Sequence, residues 1–210
     1  GSLEDKLNEK EIRNPLMNTL PRPERTSREI FRNFLLLSSL FSTNHAAAVS
    51  CLSLASARLG SNIGTWQSGT LYISYTASAL LGSTYVTKVL GARNGLALGM
   101  SLYCIYVASF ILSIEATKGF SMAIAVFGGL LGGAAAGIMW TSQGSYFALT
   151  CEEYKESLTS ELRDSSAQDQ LDSHESTRSE DITSKLGGLF ATILLAGEVI
   201  WRLFSTVAVQ

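Results

Sequence analysis

The sequence predicts an all-α membrane protein of about five transmembrane helices, and three observations carry that reading. Charged residues are 16% of the 210 positions against 46% hydrophobic, whereas soluble domains carry about a quarter charged. Most of the charge is gathered into residues 1–32 and 152–185. Between and after those blocks run apolar segments of the length that crosses a bilayer, about 20 residues at about 1.5 Å each.

Five segments meet that length. The first covers residues 33–57, "NFLLLSSLFSTNHAAAVSCLSLASA", without a formal charge. The second and third cover residues 65–87 and 95–114. The fourth, residues 119–150, is longer than one crossing needs and is expected to tilt or continue into the interface. The fifth, residues 186–210, contains Glu198 and Arg202. A soluble helical protein would give these segments a charged face, and the first four show none. Backbone polar groups inside lipid must be satisfied within the segment, so each span is a helix.

The organisation that follows is a tail over residues 1–32, helices over 33–150, an acidic loop over 151–185 and a last helix over 186–210. The loop is rich in Ser, Asp and Glu and is expected to be a flexible linker, although "EEYKESLTSELR" within it has the makings of a short surface helix. Basic residues fix the orientation. Seven lie in the tail, two (Lys88 and Arg93) between spans two and three, and four between spans four and five; the opposite side has Arg58 and Lys118. The positive-inside rule then puts the N-terminus in the cytoplasm, in a multi-pass protein of the plasma membrane or an endomembrane. The first residues show no signal-peptide pattern.

The fourth span raises a separate question. "FGGLLGGAAAGIMWTSQGSYF", residues 127–147, holds six glycines, each of which costs a helix in water about 1 kcal/mol relative to alanine. In lipid there is no hydrophobic drive between helices, which gain instead by bringing backbones close. Gly128 and Gly132 form one small-xxx-small pair, Gly129, Gly133 and Gly137 continue another, and Gly144 is expected to extend that stripe. The stripe reads as a helix-contact surface. Neither GxGxxG nor GxxxxGK[ST] occurs, so nothing cradles a nucleotide phosphate.

Other chemistry is scarce. Cys51, Cys104 and Cys151 are far apart without CxxC spacing, and are expected to be buried thiols on helices. Two histidines do not make a metal cluster, and a net charge of −2 gives nucleic acid no purchase. No nucleophile elbow, zinc-ligand set or carboxylate pair points to an enzyme, and no cofactor is expected.

The end of the glycine helix, "GAAAGIMWTSQGSYFAL", resembles the fourth transmembrane segment of UNC-93-like proteins, a branch of the major facilitator superfamily. Gly133, Ala134, Ala135, Trp140, Gln143, Gly144 and Tyr146 occupy the shared pattern. Upstream, Tyr72, Gly91 and Tyr103 fall at recurring positions of the second and third spans, so the resemblance covers about residues 31–150. It implies a major-facilitator-type bundle of twelve helices in two halves around a cavity. This chain, which opens on Gly-Ser, would then be a fragment, an incomplete N-terminal half awaiting a C-terminal one. The superfamily's signature between spans two and three is altered: "TYVTKVLGARNG" keeps Gly91 and Arg93 but has Lys88 where an Asp is usual. The resemblance implies regulation of an ion channel, a potassium channel among them, or of a receptor in the membrane; transport of a small ion or solute by alternating access is the alternative.

Polar groups inside lipid are expensive and tend to face a bundle interior. Asn44 and His45 stand midway along the first span, and histidine titrates near physiological pH. Glu198 and Arg202 share a face of the fifth span, where an ion pair between them competes with an ion-coupling role. Gln143 and Tyr146, with Trp140, form the polar tip of the glycine helix. These seven are the candidate cavity residues.

Overall fold

The computed structural model describes residues 25–164 and 175–207. Most of the expected tail and the centre of the acidic loop lie outside them. The described residues form five helices: α1 Ser27–Leu59, α2 Ser61–Leu81, α3 Ser83–Glu115, α4 Lys118–Asp164 and α5 Glu175–Val207.

The joints are short because single residues make them. Gly60, at φ 84°, turns the chain between α1 and α2, in a region that L side chains rarely enter. Gly82 stays in the helical region, and its N–H donates to the Ser78 carbonyl while Val86 N–H donates to its own (3.0 Å each). The hydrogen-bond ladder of α2 therefore runs on into residues 83–90. The real break falls at Gly91, φ 78° and ψ 159°, inside α3. Residues 83–90 thus prolong α2, and the third crossing begins after Gly91, close to the expected boundary. At the other end, Ser113 Oγ donates to the Ser121 carbonyl (2.8 Å) and Ser121 Oγ to the Ser113 carbonyl (2.7 Å), which staples α3 to α4.

Four helices are long and apolar enough to cross a membrane: Ser27–Leu59, Ser83–Glu115, Lys118–Glu161 and Glu180–Ser205. The chain is a multi-pass membrane bundle. The expected second span is not among the four, since α2 carries Asn62, Gln67 and seven Ser and Thr residues. Its hydroxyls are largely absorbed by nearby carbonyls. Thr65 donates to Ser61, Thr70 to Trp66 and Thr76 to Tyr72 at 2.7–2.9 Å, and Ser74 reaches across to Leu130 of α4 at 2.7 Å. A helix that bonds its own polar groups keeps a place among apolar neighbours despite its composition.

α4 is the hub, packed most extensively on α3 and then on α2. Two glycine faces make this possible. Gly129, Gly133 and Gly137 lie on α2: a methyl added at Gly129 would stand 2.6 Å from the Gln67 carbonyl oxygen, and one at Gly137 2.9 Å from the Ala79 nitrogen. Gly133 backs onto the Leu71 carbonyl. On the other face Gly128 meets Ser109 and Gly132 meets the Tyr106 ring. α3 answers with its own small residues, Gly99 against Met139 and Gly95 against Ser142. Gly144 does not extend the stripe; nothing lies within 4 Å of where its Cβ would be. Here α4 touches the residue 83–90 arm through Thr141–Ser83 and Thr87–Ser142 hydroxyl bonds (2.9 Å each), and Gly144 turns outward.

The acidic segment departs from expectation at both ends. α4 continues unbroken to Asp164 and α5 starts at Glu175. At 47 residues α4 is about 70 Å long, over twice a hydrocarbon core of about 30 Å, so its last turns stand outside the bilayer. An apolar cluster orders them: Phe34, Cys151, Ile182 and Leu186, flanked by Phe31, Tyr154 and Leu158. The start of α1 is pinned there too. Ser27 N–H and Oγ donate to the Glu161 carboxylate (3.0 Å each), and Arg25 lies 3.6 Å from Glu153. Of the thiols, Cys151 is buried, Cys51 half-buried and Cys104 exposed, so burial is not shared by all three.

Two expected outcomes follow from this packing. Gly133→Leu drives a side chain into the α2 backbone and lowers the melting temperature in detergent, an overpacking cost of about 1–3 kcal/mol or more, whereas Gly144→Leu leaves it unchanged. Equal melting of the two variants would refute the glycine-face account. The two Ser27 bonds hold the Glu161 carboxyl below its ordinary value. The clasp is therefore fully present above the usual carboxylate range and is lost as pH falls through that lowered value. The protection factors of the amides at residues 27–30, exchange rates taken relative to the intrinsic rate at each pH, should fall on acidification in the wild type and be low at all pH values in Glu161→Ala.

Candidate functional site: a histidine and a glutamate walled by aromatic rings

His45 lies thirteen positions from Arg32 on one side and from Arg58 on the other, which puts it at mid-depth of the bundle. There α1 presents its imidazole to α5, with His45 Nε2 3.4 Å from Glu198 Oε1. The two side chains are 13% and 25% exposed. Each charge alone would cost about 2.5–3.5 kcal/mol at the centre of a spanning helix. The pair becomes an ion pair when the imidazole carries both protons.

Aromatic rings enclose the imidazole. Trp140 of α4 stands edge-on at 5.2 Å, Phe41 stacks one turn below at 6.1 Å, and Tyr103 of α3 stacks at 6.2 Å. Phe41 is fully buried and meets Trp140 at 5.1 Å and Phe190 of α5 at 5.6 Å. One ring from each of α1, α4 and α5 thus closes the seam on one side of the pair. Asn44, the next residue, turns toward α3, where its amide donates to the Met100 carbonyl (3.3 Å) and to Cys104 Sγ (3.4 Å).

The seam is built from small residues on α1. Ser42 Oγ donates to the Ile193 and Leu194 carbonyls of α5 (3.0 and 3.3 Å), and Gly197 backs onto the same hydroxyl. Serine is what lets the two helices come this close. Beyond the aromatic closure lies another polar level. Phe34 meets Phe147 and Phe41 meets Trp140, seven residues along each helix, so the antiparallel register sets Ser38 opposite Gln143. Both are buried, and Ser38 Oγ and Gln143 Oε1 have no hydrogen-bond partner among the described residues. His45 Nδ1 and Asn44 Oδ1 share that condition.

Of the candidate residues, the structure brings together His45, Trp140 and Glu198, with Asn44 beside them. Gln143 lies at the Ser38 level, and Tyr146 is half-buried nearly one turn further along α4. Arg202 is exposed one turn beyond Glu198. Lys88, Gly91 and Arg93 sit at the far end of the bundle, on the α2–α3 break. Sequence reasoning passed over Phe41, Ser42 and Tyr103. The i, i+4 run of Ser38, Ser42 and Ala46 on α1 was a signal for the seam. It also passed over Gln67 and Tyr106, each fully buried with polar side-chain atoms unpartnered among the described residues. A carboxamide in an uncharged span was the available hint for Gln67. No group of three metal-ligating side chains occurs among the described residues.

Chemically, the pair can hold a proton between two bases or present a carboxylate to a small cation. A family model described as "Ion channel regulatory protein UNC-93" matches residues 57–165. No curated protein and no solved structure gives a significant match. The matched stretch spans α2, α3 and all of α4; His45 and Glu198 lie outside it.

The α1–α5 seam is open to a direct check. A Cβ built at Gly197 lies 3.2 Å from Ser42 Cβ, within a few tenths of an ångström of the span a disulfide bridges. Ser42→Cys with Gly197→Cys should cross-link under mild oxidation, while Ser39→Cys with Gly197→Cys, with residue 39 on the exposed face, should not.

Proposed function

The chain belongs to the UNC-93 family, and from that premise we propose that it regulates an ion channel inside the membrane, a potassium channel being the form the family resemblance favours. The family model, described by ion channel regulation and matched over residues 57–165, is the observation that carries this reading. The altered loop supports it: Lys88 stands where a transporter of the superfamily would usually place an aspartate. The exposed side of α5, with Leu195, Val199, Leu203 and Phe204, offers an apolar surface to another membrane helix. The reading includes an N-terminus in the cytoplasm, from thirteen basic residues on that side against two. It also includes a place as most of the first half of a twelve-helix bundle.

A second reading, transport of a small ion, has its own observation in His45 and Glu198, an acid–base pair at mid-depth. The two readings separate cleanly in one set of variants. Under regulation, the protein co-purifies with the channel and shifts its current, and His45→Ala or Glu198→Gln leaves the current shift largely intact. Under transport, proteoliposomes of the protein carry a flux driven by a pH or potassium gradient, and Glu198→Gln abolishes it. No shift of any channel current together with a Glu198-dependent flux would replace the first reading by the second.

A further inference from the structure

Lys88 and Arg93 are both exposed, on either side of the Gly91 break. From Ser83 to Ile114 the chain has no acidic residue, and neither cation has an ion pair among the described residues. The carboxylates at this end of the bundle are Glu29 of α1, those of the α4 extension, and Glu180 and Asp181 at the start of α5; Glu153 is engaged with Arg25, Glu161 with Ser27 and Asp181 with Lys185. Arg28 and Arg32 of α1, also exposed, add positive charge to the same end. The cations are flanked by exposed apolar groups: Tyr85 is 70% exposed, Val89 64% and Leu90 39%. Tyr85 stands about one turn before Lys88, on its bilayer side, and Val89 and Leu90 flank the cation at the turn, so charged and apolar surface meet here as they do at the headgroup level of a phospholipid.

We propose that the α2–α3 break, residues 85–93, is a binding site for the headgroup of an anionic phospholipid. Lys88 and Arg93 take the phosphate and its added negative charge, Tyr85 lies along the upper acyl chains, and Val89 and Leu90 lie against the headgroup–acyl boundary. Gly91 breaks the helix between the two cations, so the separation of about 140° that five residues of uninterrupted helix would impose does not hold here. The flanking apolar groups select a lipid over a free anion, because a soluble phosphate has no use for them. Anionic lipids concentrate in the cytoplasmic leaflet, so the site rests on the orientation proposed above and not on the regulatory reading.

The test uses the whole chain purified in detergent, titrated with phosphatidylserine, phosphatidylcholine or inorganic phosphate, with melting temperature and lipid retained in native mass spectrometry as readouts. Phosphatidylserine is expected to be retained and to raise the melting temperature, in a salt-sensitive way, where phosphatidylcholine and phosphate do not. Lys88→Gln and Arg93→Gln should each weaken it about fivefold, and both together about thirtyfold. Lys88→Arg with Arg93→Lys should keep it, as should Arg58→Gln with Lys118→Gln at the other end of the bundle. Equal retention of the two lipids by the wild type, an equal effect of inorganic phosphate, or undiminished binding in both single variants would each overturn the site. Protease protection placing the N-terminus outside would overturn the site by taking it out of the anionic leaflet, and the titration, which is blind to sidedness, tells that failure from a loss of affinity.

Discussion

Close backbone approach along α4 is the constraint on which the rest of this structure depends. Lipid chains are as apolar as leucine, so helices inside a membrane gain nothing by hiding from them. What they can gain is dispersion contact and short polar bonds, and both require the axes to be near. On α4 the missing Cβ atoms at Gly129, Gly133 and Gly137 bring α2 in, and those at Gly128 and Gly132 admit Ser109 and Tyr106 of α3. Once the axes are close, hydroxyls reach across. Ser74 bonds the Leu130 carbonyl at 2.7 Å and Ser78 the Gly133 carbonyl at 3.3 Å. The serine content of α2, which lowers its hydropathy, is therefore part of the same device.

α5 is attached differently. Its apolar window is only 6% buried, against 50% for α4, and its contacts are chiefly with α1. Ser42, the His45–Glu198 pair and the Phe41–Phe190 contact make that seam, so one helix face carries nearly all of the attachment. The polar pair is costly to leave half-made. In a low-dielectric interior, removing one partner leaves the other unpaired, which is worse than never having had the pair.

Legibility followed the range of the interaction. Spans and glycine faces could be read because composition and i, i+4 spacing are local properties. The α4 extension was half-legible: its polarity argued for a linker, while the helix-forming "EEYKESLTSELR" belongs to α4 itself. Its anchors are Phe31 and Phe34 on α1 and Ile182 and Leu186 on α5, which only folding brings alongside. Gly144 failed for a related reason. Spacing alone placed it on the stripe, but whether a partner lies opposite depends on the path of α2 after Gly82. Glu198 had a tempting neighbour four residues away in Arg202, and the partner seen at 3.4 Å is 153 positions earlier in the chain.

The charges along the bundle also order themselves by depth. Arg32, Lys88 and Arg93 lie towards one end, Arg58 and Lys118 towards the other, and the 25 residues from Asn33 to Ala57 carry no formal charge between them. At about 1.5 Å per residue that gap is about 38 Å, enough to cross a hydrocarbon core of about 30 Å with some tilt. The His45–Glu198 pair stands in the middle of it, as far as possible from either polar boundary. A pair whose only task was to hold two helices together would be less costly near an interface, where water screens it. Its position at the costliest depth is matched by an enclosure of Phe41, Tyr103 and Trp140 that keeps the imidazole oriented. The glycine faces pack α2 and α3 closely against α4. The membrane-centred pair, with Ser42 and Phe41 beside it, holds α5 against α1.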